Sequence, residues 1–177
     1  MGPPVLVGIH GVTRPVSSKY RQEKYEAGDK FADFANDILY ANGVMIGMYR
    51  SQNRQWAVGE SRAGMEIKYD ERQATTGNLW IETAEKTDKD NPNWIPSGIY
   101  ATDNRWLYLI GNYHAIWIFS ITMLRLLHPK YQRKEIGTSQ GYLLPCEDAD
   151  KYAARTLKAQ ELSRLPWRPI ISKENHE

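Results

Sequence analysis

Glu60, Glu66 and Lys68 are the residues of this chain whose types and spacing suit a defined chemistry. Two carboxylates and an ammonium gathered at one sheet edge can hold a hard divalent cation beside a water, with a positive charge left for a developing phosphoryl anion. The acids meet only if the backbone folds back between them. Ser61-Arg62-Ala63-Gly64 supplies a turn, and Trp56-Ala57-Val58-Gly59-Glu60 reads as the first arm of a hairpin. After the turn, Met65, Ile67 and Tyr69 alternate with Glu66, Lys68 and Asp70, which predicts a strand with one apolar and one polar face. That parity puts Glu66 and Lys68 on the same side, and the hairpin sets Glu60 beside them. Alone, Glu66-Ile67-Lys68 carries little weight: the chain has one acid-x-Lys triplet, and about one is expected by chance. The preceding acid and the strand that follows give it its weight.

Other elements must position these groups. Residues 19–40 have helical periodicity, with Phe31, Phe34, Ala35, Ile38 and Leu39 on one face and a stop at Asn42-Gly43. Residues 44–49 read as the first strand. Residues 71–76 read as a loop, and 77–83 as a strand with Asn78, Trp80 and Glu82 on one face and Leu79 and Ile81 on the other. Glu82 is there a third carboxylate, an orienting partner for Lys68, or a surface acid facing a cross-strand lysine. Residues 85–94 are too polar to pack and form a loop lip. Gly111-Asn112 marks a turn between two buried strands, 105–110 and 113–119. A short helix over 121–127 ends near Pro129. Lys130, Arg133 and Lys134 surround Tyr131, which suits backbone phosphates and a stacked base or, equally simply, a solvated loop. A strand over 141–145 and a helix over 147–162 complete the pattern.

An acid, a hairpin and then Glu-x-Lys resemble the PD-(D/E)XK, or restriction-endonuclease-like, nuclease superfamily. The fuller string Gly59-Glu60, Gly64-Met65-Glu66-Ile67-Lys68-Tyr69-Asp70, Thr76-Gly77-Asn78-Leu79-Trp80-Ile81-Glu82 and Pro96-Ser97-Gly98-Ile99 resembles a bacteriophage-encoded branch of it, over residues 20–155. Glu60 stands where the superfamily usually has Asp. The resemblance implies an α/β fold: a restriction-endonuclease-like mixed sheet of about five strands, flanked by the first and last helices. It implies a Mg²⁺-dependent endonuclease that hydrolyses phosphodiester bonds in DNA. Glu60, Glu66 and the Ile67 carbonyl would hold Mg²⁺ or Mn²⁺, and Lys68 would stabilise the transition state. Glu26 on the first helix would add an acid to the site; the plainer reading makes it part of a solvated face. Ser97 and Gly98 would approach the metal or a nucleic-acid phosphate, although a turn before the next strand explains them too. The competing function is a catalytically idle protein of the same fold that binds nucleic acid or a host protein. A junction-resolving enzyme would require a homodimer.

Composition sets the frame. The chain has 177 residues, enough for one domain over 18–165, with an extended arm over 1–17 and an irregular tail over 166–177. The net charge is +2, from 23 basic and 21 acidic residues, so a nucleic-acid surface must arise from local arrangement. Cys146 is the single cysteine, which excludes an intrachain disulfide and a cysteine zinc cluster. The four histidines, at 10, 114, 128 and 176, lack ligand spacing. Gly8-Ile9-His10-Gly11 lacks the Lys-Ser/Thr of a phosphate loop. Residues 106–127 are too interrupted for a membrane span, and the start MGPPVLVGIHG lacks a leader pattern. A cytoplasmic setting is expected, the host's if the chain is phage-encoded.

Overall fold

The computed structural model describes residues 19–48 and 51–162. The arm expected over 1–17 and the tail over 166–177 lie outside them. The fold is α/β, with one mixed and one antiparallel sheet flanked by helices. Helix α1 (Lys19–Ala41) buries Phe31, Phe34, Ala35, Ile38 and Leu39, the stripe its periodicity predicts. The Asn42 side chain donates to the Ile38 carbonyl at 2.8 Å and closes its last turn.

The mixed sheet contains β1 (Met65–Tyr69), β4 (Leu107–Gly111), β5 (Ala115–Ser120) and β8 (Arg155–Lys158), in the order β1-β4-β5-β8. Strand β1 runs parallel to β4, and the other pairs are antiparallel. In the second sheet, β3 (Ile95–Pro96), β2 (Asn78–Glu85), β7 (Ser139–Pro145) and β6 (Arg133–Ile136) lie in the order β3-β2-β7-β6. Alternation divides the apolar side chains between two cores. Met65, Ile67, Leu109, Ile116 and Leu157 pack under α1. From the opposite face of the mixed sheet, Tyr108, Ile110, Trp117 and Phe119 meet Leu79, Ile81, Tyr142 and Leu144 of the second sheet. Helices α4 (Ile121–Leu127) and α5 (Cys146–Tyr152) close that core with Leu124, Leu127 and Ala149. Among the described residues no helix is long and apolar enough to cross a membrane.

Four expectations are corrected. The single sheet of about five strands is instead two sheets of four. The arm expected at Trp56-Ala57-Val58 belongs to a helix, α2 (Gln52–Val58), so no hairpin precedes β1. Ser51 stands at the N-cap position, and Gly59 ends the helix at φ +119, where a Cβ would lie 2.1 Å from the Asn104 Oδ1. A few alternating residues were too short a pattern to separate strand from helix. Residues 44–47 form no strand, and Met48 makes only an isolated bridge with Ser61; Tyr49 is outside the described residues. Over 147–162 the expected long helix is α5, then β8, then the short α6 (Ala159–Leu162). The free edge of β5 captures this segment: the Ala154 N–H donates to the Ile118 carbonyl at 2.8 Å, and β8 continues the ladder. A smaller difference is a helical turn, α3 (Gln73–Thr76), inside the expected loop.

Strand β1 is an edge strand, and side chains complete its outer edge. The buried Ser61 hydroxyl accepts from the Met65 N–H and donates to the Met65 carbonyl, both at 2.9 Å. Ser61→Ala should therefore lower stability by about 1–3 kcal/mol, because two buried backbone groups lose their partner. An unchanged urea midpoint would show that the edge does not depend on this hydroxyl.

Candidate active site

The site grows from the parity of β1. With Met65 and Ile67 committed to the core under α1, Glu66 and Lys68 must project from the other face, beside Tyr108 and Ile110 of β4. Glu66 is 2% exposed. Its Oε1 lies 2.7 Å from the Lys68 Nζ, and its Oε2 is ion-paired with the Arg105 Nη1. Arg105 has its own support: Nε donates to the Asp103 Oδ1 at 2.6 Å, Nη2 pairs with Oδ2, and Nη1 donates to the Gly98 carbonyl at 3.1 Å.

Glu60 reaches the same place by a different route from the one its sequence suggests. It lies in the link between α2 and β1, and its Oε2 accepts from the Ile67 N–H at 3.1 Å. In an extended strand, N–H and C=O of one residue point to the same edge, so the Ile67 carbonyl also points to the side that Glu60 occupies. The link is held by Asn104, whose Nδ2 donates to the Ser61 carbonyl at 2.9 Å.

Glu60, Ile67, Lys68 and Glu82 all line one open cavity of about 1080 Å³. Glu82 is fixed by two hydroxyls: Ser97 donates to Oε1 at 2.6 Å and Ser139 to Oε2 at 2.7 Å. Its cross-strand neighbour on β7 is Gly141, so no lysine faces it there. Ser97 is thus at the site as a partner of Glu82. Gly98 follows at φ +51, and a Cβ there would lie 2.2 Å from the Glu82 carbonyl oxygen, so the chain passes as close as only glycine permits.

Other expected residues are elsewhere. Glu26 is exposed, accepts from the Gln22 side chain at 3.1 Å and is not part of the cavity wall. The acid that α1 contributes is Asp29, one turn further on. Lys130, Arg133 and Lys134 do not line the cavity. Lys130 lies 5.5 Å from the Tyr152 ring centre, and Arg133 pairs with Glu135 at 3.2 Å. Lys134 sits opposite Gly141, hence on the same face of the second sheet as Glu82 and Trp80. The cations that do line the cavity are Lys24, Lys68, Arg72 and Arg105, of which three carried no sequence signal. Asp103 and Tyr108 were also missed: one looks like an ordinary turn acid, the other like a core aromatic.

The electrostatics follow from burial and charge. Burial alone would lower the Lys68 pKa; Glu66 and then Glu60 override it and hold the ammonium well above its usual range. Burial likewise opposes the Arg105 charge, and the Asp103 hydrogen bond followed by Glu66 more than offsets it. Burial pushes Glu60 above its ordinary 4.5, against the pull of Lys68 and with help from Glu66. Tyr108 is pushed well up by burial and then by Glu66, so its phenol stays protonated. Along the wall carboxylates outnumber cationic side chains by seven to four.

Hard oxygen donors on an acid-rich wall suit a small divalent cation. Glu60 and the Ile67 carbonyl are at hand, whereas Glu66 joins only by giving up a cationic partner. Among the described residues no group of three or more His, Cys, Asp or Glu converges as a ligand set. No family model, curated protein or solved structure matches the chain.

The raised Glu60 pKa has a definite sign. At pH values below 4.5 the group is protonated in both folded and unfolded chains; as pH rises through its folded pKa, ionisation costs the native state stability. Gln at this position keeps an oxygen for the Ile67 N–H. Glu60→Gln should melt with the wild type near pH ~4 and above it near pH ~7. A variant that melts lower at neutral pH would show that attraction to Lys68 outweighs burial.

Proposed function

We propose that the protein is a metal-dependent nuclease that hydrolyses phosphodiester bonds in DNA, on a restriction-endonuclease-like core. The observation that carries this reading is the convergence of Glu60, Lys68 and Glu82 on one cavity, with Glu66 fixed directly behind the Lys68 ammonium. Parity alone puts Glu66 beside Lys68; the presence of Glu60 does not follow from it.

The Glu60 and Glu66 carboxylates and the Ile67 carbonyl would hold Mg²⁺ or Mn²⁺. The ion would supply Lewis-acid polarisation and an acidified water. Lys68 stays protonated under the two carboxylates, so it acts by meeting the charge that builds on the phosphoryl oxygens and not as a general base. Glu82 adds to the field that keeps Lys68 charged, and its two hydroxyl donors fix it in place. Ser97, bonded to Glu82 on the cavity wall, would meet a substrate phosphate.

A second reading has its own observation. Glu60 satisfies an edge-strand N–H and both Glu66 oxygens already face cations, which is also what a catalytically idle binder of nucleic acid or of a host protein would require. Mn²⁺ titration separates the two, because only the enzyme needs the ion.

Incubation of labelled single-stranded, duplex and branched nucleic acids with Mg²⁺ or Mn²⁺ tests the proposal. Lys68→Ala should reduce cleavage by roughly 10²–10³-fold, the scale for losing one preorganised electrostatic group, and leave nucleic-acid binding in place. Equal cleavage by wild type and variant would remove Lys68 from the mechanism, and no cleavage of any substrate by the wild type would favour the idle reading.

A further inference from the structure

Arg105 and Glu66 depend on each other unequally. Glu66 is almost wholly buried, and a carboxylate in such a place is costly to leave unpaired. One of its oxygens is on Lys68 and the other on Arg105. The guanidinium does not need Glu66 in return. Asp103 grips it through Nε and Nη2, and the Gly98 carbonyl accepts from Nη1. The Asp103 carboxylate is itself held in the turn, where its Oδ1 also accepts from the Arg105 backbone N–H at 3.1 Å. Against burial, hydrogen bonds from Arg105 pull Asp103 below its usual range, so this anchor stays charged. Arg105 would thus keep its place if Glu66 turned away, whereas Glu66 would be left with Lys68 as its single cationic contact if Arg105 turned away.

From this asymmetry, and resting on the nuclease reading, we infer that Arg105 is a positioning residue that occupies the cation side of Glu66 in the metal-free protein, and that a divalent ion enters by taking its place there. The exchange leaves the guanidinium on Asp103 and the Gly98 carbonyl and gives Glu66 a doubly charged partner for a singly charged one. Arg105 therefore keeps the site assembled without metal and opposes metal entry, both by covering Glu66 Oε2 and by like-charge repulsion.

The inference predicts opposite effects on two measurements. Mn²⁺ is titrated calorimetrically into wild type, Arg105→Gln and Arg105→Lys, and each is melted in EDTA and in saturating Mn²⁺. Arg105→Gln should melt below wild type in EDTA, bind Mn²⁺ at least tenfold more tightly and gain more in melting temperature from the ion. Arg105→Lys, which keeps the charge but not the fork, should fall between the two; if Arg105→Gln does not fold, the same ordering between Arg105→Lys and wild type carries the test. Wild type that binds Mn²⁺ no more weakly than the variants would overturn the inference and leave the nuclease reading standing. Failure of all three to bind Mn²⁺ would remove the nuclease reading and this inference with it.

Discussion

A carboxylate shut away from water must be neutralised or compensated, and at Glu66 compensation organises the whole region. Lys68 is available from the same strand, two residues on, because the strand returns every second side chain to one face. Arg105 is not local; it arrives on the loop between β3 and β4 and brings Asp103 with it. The charge requirement at Glu66 thus ties the edge of the mixed sheet to a loop that apolar packing alone would not fix. Removing one partner of such a buried pair typically costs about 3–5 kcal/mol, because the other charge is left behind. The adjacent Trp106, 60% exposed and bonded through Nε1 to the Ala63 carbonyl at 2.7 Å, adds a hydrogen bond across the same junction but little burial.

The edge position of β1 imposes a second constraint. An open edge presents unpaired N–H and C=O groups, and proteins cover such edges. Here Ser61 and Glu60 do so with side chains, at Met65 and Ile67. Glu60 therefore has a structural reason to be where it is. That duty does not exclude a second one, since a carboxylate has two oxygens and about four acceptor positions. It also accounts for the burial that raises its pKa: a side chain lying along a strand edge loses much of its water.

What could be read from the sequence was local and periodic. The stripe of α1, the parity of β1 and β2, and the Gly111-Asn112 turn depend on neighbours within a few residues, and all three appear in the fold. The misreadings share a cause. Residues 56–60 and 147–162 have patterns that fit two secondary structures, and distant partners decided between them: Asn104 packed against Gly59 in one case, the open edge of β5 in the other. Glu60 was placed beside Glu66 and Lys68 for the wrong reason, because no hairpin brings it there. Arg105 was invisible since nothing in Asp103-Asn104-Arg105 announces a buried acid 39 residues earlier, Glu66. Asp29 and not Glu26 reaches the cavity because the phase of α1 is set by which of its residues dock on β1.

The excess of carboxylates on the cavity wall bears on how a polyanion would approach. Coulomb repulsion in a partly desolvated cleft is far stronger than in water, so a phosphate backbone gains nothing from this wall until cations are added. Of the basic side chains recognised in the sequence, Arg133 pairs with Glu135 and Lys130 lies against the Tyr152 ring, both outside the cavity wall. Lys134 alone of that group shares the open face of the second sheet with Trp80 and Glu82. On the nuclease reading, a divalent ion must therefore already be in place before a phosphate backbone gains from this wall, and affinity for nucleic acid without metal should be weak and set by the rim. On the idle reading the same acid-rich wall suits a basic host-protein surface better than a polyanion.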